Sequence, residues 1–354
     1  MIYGKGVFMT VKKTIIKIVI SILAIVLLFL LVRTVVPGWM PKVRGENAVS
    51  EFRKAEINGA ELQLMIRGED RSNPVLIFVH GGPCGSEIPY VRKYQKDWEK
   101  DFTIVHYDQR GCGKSYKFGE DYSQVTTATH VEDLIVLTEY IEKYLETDKV
   151  ILIGHSFGTY IGTKAAALRP DLYSAYVGIG QMSDTISSEL STLDKCIVAA
   201  KEKGDLKTAE ELEAMRDPIS EGKEITPRDK IYEYGFGSRL IDDYHDYMMG
   251  FIFGPEYNLV DAVRYLTAVN KWQKGLILEA LEHPITDIVD KIDIPVYFVM
   301  GRYDGMTSPE AAEEYLQDIK GDGEKKFILF ENSAHYPQFE EKEAFYKWMT
   351  DIFR

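Results

Sequence analysis

The sequence predicts an α/β fold: a mostly parallel sheet flanked by helices, split by a helical insertion and preceded by a membrane-spanning helix. Three observations predict it. From about residue 75, short Val/Ile-rich runs alternate with amphipathic helical stretches. Near-continuous apolar runs mark strands covered on both faces, which is the condition of a parallel sheet. The alternation lapses between 182 and 290, where charge-rich helical sequence takes over, and then returns. The first 36 residues hold one long apolar run, uncharged from 18 to 32.

The N-terminal run, I-V-I-S-I-L-A-I-V-L-L-F-L-L-V, continues past Arg33 to Val36. From Ile18 to Val36 a helix reaches about 28 Å, close to the hydrocarbon thickness of a bilayer. Lys17 and Arg33 stand near its ends, where long side chains snorkel to the interface. A cleaved signal peptide is the rival reading; its apolar core would be shorter and a small-x-small site would follow. The run ends R-T-V-V-P-G-W instead, so residues 1–36 are read as an uncleaved membrane anchor. Lys5, Lys12, Lys13 and Lys17 precede the span, and Arg33, Lys42 and Arg44 follow it. The slight excess before it favours a cytoplasmic N-terminus and an extracytoplasmic body, hence a single-pass membrane protein.

The remaining elements follow in order. Residues 37–50, with Pro37, Gly38, Pro41 and Gly45, read as a linker. Two alternating runs flank Asn58-Gly59, a two-residue hairpin signal. Strands are expected at 75–79, 102–107, 149–153 and 173–179, and a helix at about 128–145 with Leu134, Leu137, Ile141 and Leu145 on one face. Strands return at 295–300 and 326–330, and a last helix covers about 338–353. The core is therefore 51–181 with 291–354, and the insertion is 182–290. Length and composition agree: 354 residues, 45% hydrophobic and 27% charged, suit one large domain of this kind. The net charge of −13 argues against nucleic acid as a partner. Three cysteines, Cys84, Cys112 and Cys196, make neither a disulfide scaffold nor a spaced zinc site and are read as free thiols.

The chemistry is concentrated in V-I-L-I-G-H-S-F-G-T-Y, residues 150–160. An apolar strand ends at Gly154, Ser156 stands at the turn, Gly158 follows, and T-Y-I-G-T-K-A-A-A-L opens a helix. A nucleophile at a strand end must turn sharply to present its oxygen, and only small neighbours let strand and helix approach there. The helix N-terminus adds N–H groups and positive dipole at the serine. A serine hydroxyl also needs a base, and the base an orienting acid. Of seven histidines, His80 and His155 lie inside motif loops, His106 in a strand, and His130, His245 and His283 in helical or insertion sequence. His335, in E-N-S-A-H-Y-P after the last strand, reaches the same sheet end as Ser156 and is the expected base. Asp304, in G-R-Y-D after the strand at 295–300, is the expected acid, giving the chain order Ser…Asp…His. Asp184 is the rival acid. H-G-G-P at 80–83 follows a strand, so the N–H groups of Gly82 and Phe157 form the natural oxyanion pair.

Four segments together resemble the proline iminopeptidase-like branch of the α/β-hydrolase superfamily: H-G-G-P-C (80–84), D-Q-R-G-C-G-K-S (108–115), G-H-S-F-G (154–158), and G-R-Y-D with A-H-Y-P. The resemblance spans most of 52–354 and is weakest in the insertion. It implies an α/β-hydrolase fold with a helical cap over the site, catalysis by Ser156, Asp304 and His335, and an oxyanion hole at Gly82 and Phe157. Asp108 and Arg110 would brace the loops; no metal or organic cofactor is implied. The implied substrate is a small molecule or short peptide, with an N-terminal proline or another residue removed. Esterase or lipase-like cleavage of small acyl esters is the alternative, and a non-catalytic receptor with a hydrolase fold is the third reading. The family loop usually reads H-G-G-P-G, and Cys84 replaces its last glycine, where φ > 0 is tolerated. In the aminopeptidases cap carboxylates hold the substrate's ammonium group; no matching motif stands between 182 and 290, where Glu189, Glu233, Asp242 and Asp243 are acidic candidates. The apolar piece 244–254 is a candidate acyl-pocket lining. If the body faces an oxidising space, Cys84 and Cys112, on neighbouring catalytic-end loops, are placed to bridge.

Overall fold

A computed structural model describes residues 3–354, so Met1 and Ile2 of the expected anchor lie outside the described residues. Helix α1 (Tyr3–Val35) is continuous. Its stretch Lys12–Val35 is long and apolar enough to cross a membrane, and no residue of its apolar window is buried. A core helix would be covered, so the body does not account for this apolarity. Arg33 departs from the expected snorkelling. Its Nη2 donates to the carbonyls of Phe251 and Tyr257, at 2.9 and 2.5 Å. The next residues are also held: Trp39 N–H donates to the Pro255 carbonyl at 2.8 Å, and Arg67 Nη1 to that of Pro41 at 2.8 Å.

β1 (Val49–Ile57) and β2 (Ala60–Gly68) form the hairpin around Asn58-Gly59, both residues at positive φ, 48° and 73°. That is the backbone a tight primed turn demands. β3 (Val75–Val79), β4 (Thr103–Tyr107), β5 (Val150–His155), β6 (Tyr173–Ile179), β7 (Val296–Gly301) and β8 (Lys325–Phe330) complete an eight-stranded sheet in the order β1-β2-β4-β3-β5-β6-β7-β8. β1–β2 and β2–β4 pair antiparallel; every other pair is parallel.

The sheet is covered on both faces, and β3 shows how. Val75, Ile77 and Val79 join the apolar cluster under α2 (Thr127–Leu145) and α3 (Phe157–Leu168). Leu76 and Phe78 join the opposite cluster with Trp98, Phe102 and Phe345. Phe345 belongs to the C-terminal helix, which begins only at Lys342, after a separate short turn at Pro337–Glu340. Full burial of one such aliphatic side chain contributes about 1.5–3 kcal/mol. The N-terminus of α2 is fixed by Thr126, which caps the Thr129 N–H while Thr129 reaches back.

Between β6 and β7 the chain is helical: α4 (Thr185–Glu202), α5 (Leu206–Glu213), α6 (Asp243–Phe253), α7 (Leu259–Glu282) and shorter turns. This segment is stitched to the loops beyond β7 and β8. Gly305 N–H donates to the Phe236 carbonyl at 2.9 Å and His335 N–H to that of Gly237 at 3.1 Å.

Candidate active site

The parallel strands deliver their loops to one end of the sheet, and the site assembles there. β5 ends at His155 and α3 begins at Phe157, so Ser156 alone makes the turn, with φ 54° and ψ −127°. Its N–H is tied to the Ile179 carbonyl at 2.9 Å. The glycines permit this crossing: a Cβ on Gly158 would lie 2.0 Å from the Val79 carbonyl oxygen, and one on Gly154 2.7 Å from that of Gly158. Gly81 passes so close that a Cβ there would meet the Ser156 Cβ at 2.7 Å. Gly82, at φ 112°, therefore sits beside the serine and lines the same cavity. Phe157 is the first helical residue, where N–H groups lack intrahelical partners.

His335 and Asp304 meet. His335 Nδ1 lies 2.9 Å from Asp304 Oδ2, and both side chains are buried. Asp304 Oδ1 also accepts the N–H groups of Met306 and Thr307 at 2.8 and 3.0 Å, and Thr307 Oγ1 donates to Oδ2 at 2.9 Å. Those donors fix the orientation of the carboxylate towards the ring. His335 Nε2 is buried without a hydrogen-bond partner, and the residue lines a cavity of about 240 Å³ together with Ser156. The close pass of Gly180, where a Cβ would lie 2.7 Å from His335 Cε1, makes room for the ring. The rival acid Asp184 is instead the N-cap of α4, accepting the Ser187 N–H at 2.7 Å.

The other histidines have different occupations. His80 Nε2 accepts the Gln109 N–H at 3.2 Å, and burial lowers its pKa. His106 pairs with Gln95 at 2.9 Å, and His130 is buried without a partner, its pKa pushed down to about 3 by burial. His155 has a role its sequence context did not announce. Its Nδ1 lies 2.6 Å from Glu87 Oε1, and its Nε2 lies 3.1 Å from the His335 carbonyl oxygen. Burial works against an imidazolium there, but the Glu87 charge and the two hydrogen bonds outweigh it and raise the His155 pKa. Burial likewise works against the Glu87 carboxylate, and the charge of His155 outweighs it and lowers the Glu87 pKa. Both shifts favour an ionic pair beneath the His335 loop. Glu87, a lone carboxylate before I-P-Y-V, gave no sequence signal.

Glu87 Oε2 remains buried without a partner, and Glu87 lines the cavity of Ser156 and His335 with Asp243, Tyr232 and Tyr247. Among the acidic candidates, Asp243 thus faces the site. Glu189 is clamped by Arg228 at 2.6 Å and lines a second cavity, of about 110 Å³, that shares Ser156 and Gly82 with the first. Glu233 pairs with Lys230, and Asp242 caps α6. The apolar piece 244–254 divides: Tyr247 lines the first cavity, whereas Tyr244, Met248 and Phe253 are exposed.

The bracing residues sit beside these loops. Asp108 Oδ2 accepts the Lys114 N–H at 2.6 Å and the Tyr257 hydroxyl at 2.5 Å, and Arg110 Nε donates to Asp133 at 2.8 Å. The expectation of three free thiols is corrected. Cys84 and Cys112 are joined in a disulfide, because their two loops follow adjacent strands β3 and β4 and bring the Cα atoms to 4.8 Å. Cys84 keeps the positive φ, 61°, that a glycine would occupy. Cys196 is free and buried, its pKa pushed up to about 12 by burial.

This architecture is that of an α/β hydrolase, and the sequence profile of the α/β hydrolase fold matches residues 74–204. A probable aminopeptidase of Bacillus subtilis, YbaC, is 31% identical over 314 residues, 85% of this chain and 95% of that protein. The proline iminopeptidase of Saccharolobus solfataricus is 26% identical over 290 residues, 77% of this chain and 83% of its own. The crystal structure of a proline iminopeptidase from Mycobacterium smegmatis superimposes with a TM-score of 0.63 at 16% identity, over 86% of this chain and 97% of its own, a likeness of fold. The chain belongs to the proline iminopeptidase-like α/β hydrolases.

Proposed function

We propose that this protein is a membrane-anchored serine aminopeptidase that removes an N-terminal residue, proline or another, from short peptides. The observation that carries the reading is the imidazole of His335: held through Nδ1 by the buried Asp304, with Nε2 unpartnered, in the cavity it shares with Ser156. In this reading Ser156 Oγ attacks the carbonyl carbon of the first peptide bond and His335 Nε2 takes its proton. The N–H groups of Gly82 and Phe157 stabilise the oxyanion, an arrangement worth roughly 3–4 kcal/mol per donor in related chemistry. His335 then protonates the departing amine, and water, deprotonated by the same imidazole, releases the acyl group from Ser156. Asp304 holds the ring and stabilises the imidazolium.

The peptide reading draws support from the relatives' names and from the carboxylates of the first cavity. Glu87 Oε2, buried and unpartnered, and Asp243 suit a substrate that carries an amino-terminal cation. Support for the anchor is the uncovered apolar length of α1, and an extracytoplasmic body accords with the Cys84–Cys112 disulfide. The helical segment between β6 and β7 serves as the cap that excludes water and limits substrate size.

The test is turnover of amino-terminal proline, alanine and leucine naphthylamides beside short acyl esters, by the full chain and its Ser156→Ala form. Amide turnover that the alanine lowers by about 10⁴-fold or more is expected. Ester turnover alone would move the assignment to a carboxylesterase, and unchanged activity in the alanine form would remove Ser156 from the reaction.

A further inference from the structure

Large apolar side chains left exposed outside α1 are not spread evenly. Leu240, Tyr244, Met248, Phe253, Val263 and Leu266 fall within 27 residues, just before α6, on α6 and on the first turns of α7. Tyr244 and Met248 stand one turn apart on α6, as do Val263 and Leu266 on α7, while Phe253 closes α6 on another side, the one that meets α1. A patch of this kind on a folded body marks an interaction surface.

The position of α1 says what covers it. Arg33 grips the carbonyls of Phe251 and Tyr257, so the helix leaves the body at the α6–α7 turn. Phe29 lies one turn before Arg33, about 6 Å deeper along α1. Its ring stands 5.8 Å from that of Phe253, which is 64% exposed. If α1 spans a bilayer, Phe253 therefore lies at the depth of a residue inside the span. Trp39, 57% exposed, follows the helix and is tied by its N–H to Pro255 in the same turn; an indole there matches the interfacial belt of membrane proteins.

We propose that the α6–α7 edge of the cap is a bilayer-docking surface, with Phe253 immersed in the acyl region beside α1 and Trp39, Tyr244, Val263 and Leu266 at the headgroup boundary. The inference rests on α1 being a membrane span and is independent of the peptidase reading. It fixes the body against the lipid surface by two elements, α1 and the cap edge, rather than leaving it on a free tether.

Spin labels placed singly by Phe253→Cys, Leu266→Cys and Tyr244→Cys in the full chain, reconstituted in phosphatidylcholine vesicles, test it. The native disulfide and buried Cys196 offer no accessible thiol. Leu168→Cys, exposed at the far end of α3, is the aqueous control, and Leu23→Cys reports the anchor separately. Labels at 253 and 266 are expected to relax with dissolved oxygen and to be protected several-fold from an aqueous nickel chelate relative to 168. Nickel access at 253 and 266 equal to that at 168, with 23 protected, overturns the docking surface while the anchor stands. Nickel access at 23 as well overturns both. Protection of 253 from both agents overturns it in favour of a second copy of the chain.

Discussion

At the scale of single residues, the imidazole of His155, beside the elbow serine, is as informative as that of His335, the proposed base. His155 follows Gly154 at the end of β5, and its ring packs 4.9 Å from that of His335 while its Nε2 holds the His335 carbonyl. Glu87 fixes that ring through Nδ1, so a buried pair positions the loop that carries His335, the proposed base. A His155 pKa raised above about 6.5 contributes stability that is complete below that pH and lost as pH rises through the folded value. A depressed Glu87 pKa contributes stability lost only as pH falls through a value below its usual 4.5. Glu87→Gln is therefore expected to cost about 1–3 kcal/mol at pH 6 and to flatten the alkaline decline, read from denaturant unfolding at pH 6 and pH 9. Parallel pH profiles for the two proteins would show that the pair is not ionic. None of this was legible beforehand. Ser156, Asp304 and His335 could be singled out because chain order and strand ends constrain them, whereas Glu87 sits in a loop whose path only the three-dimensional packing defines.

At the scale of elements, two loops that share no sequence periodicity carry the geometry of the site. The loop after β3 brings Gly81 and Gly82 past Ser156, and the loop after β4 braces it through Asp108 and Tyr257. The disulfide joins them at Cys84 and Cys112, 28 residues apart. Closing a loop of that length removes about 3–4 kcal/mol of unfolded-state entropy. Cys112→Ser is expected to lower Tm by roughly 5–10 °C, and reductant should shift the wild type by the same amount and the variant not at all. A reductant effect that persists in the variant would locate the stabilisation elsewhere. The strands, the Asn58-Gly59 hairpin and the Ser156 elbow were readable because period-2 burial and turn chemistry are local properties. The bridge was readable only as a condition: the resemblance put 84 and 112 on neighbouring loops, but nothing local in either residue distinguishes a bridged cysteine from a free thiol. The insertion was legible as helix but its individual helices were not: α4 and α5 are polar outside, and α7 owes its start to the Asn258–Asp261 capping box rather than to an apolar pattern.

At the scale of the whole molecule, α1 and the body are coupled rather than strung together. The sequence made Arg33 a snorkelling charge and 37–50 a linker, since both readings follow from composition. The fold turns the guanidinium inward instead, because the α6–α7 turn offers two carbonyls, Phe251 and Tyr257, that intrahelical bonding leaves free. Asn258 Nδ2 adds a bond to the Val36 carbonyl at 3.1 Å, and Tyr257 continues the connection through its hydroxyl to Asp108 and to Ser86 in the loop of Gly82. A contiguous set of hydrogen bonds therefore runs from the end of the apolar helix to the candidate oxyanion loop. Hydrogen bonds from a charged donor contribute about 1.5–3 kcal/mol, so Arg33→Met should raise the population of a detached junction by about 10- to 100-fold. Limited proteolysis of the full chain in vesicles reads this directly as faster cleavage between residues 36 and 48. If the coupling also steadies the candidate oxyanion loop, the variant loses kcat with KM nearly unchanged, because the proposed N–H donors would act on the transition state rather than on bound substrate. Equal cleavage rates for the two proteins would reduce Arg33 to an ordinary end-of-helix charge, and faster cleavage with unaltered kcat would confine the coupling to the junction itself.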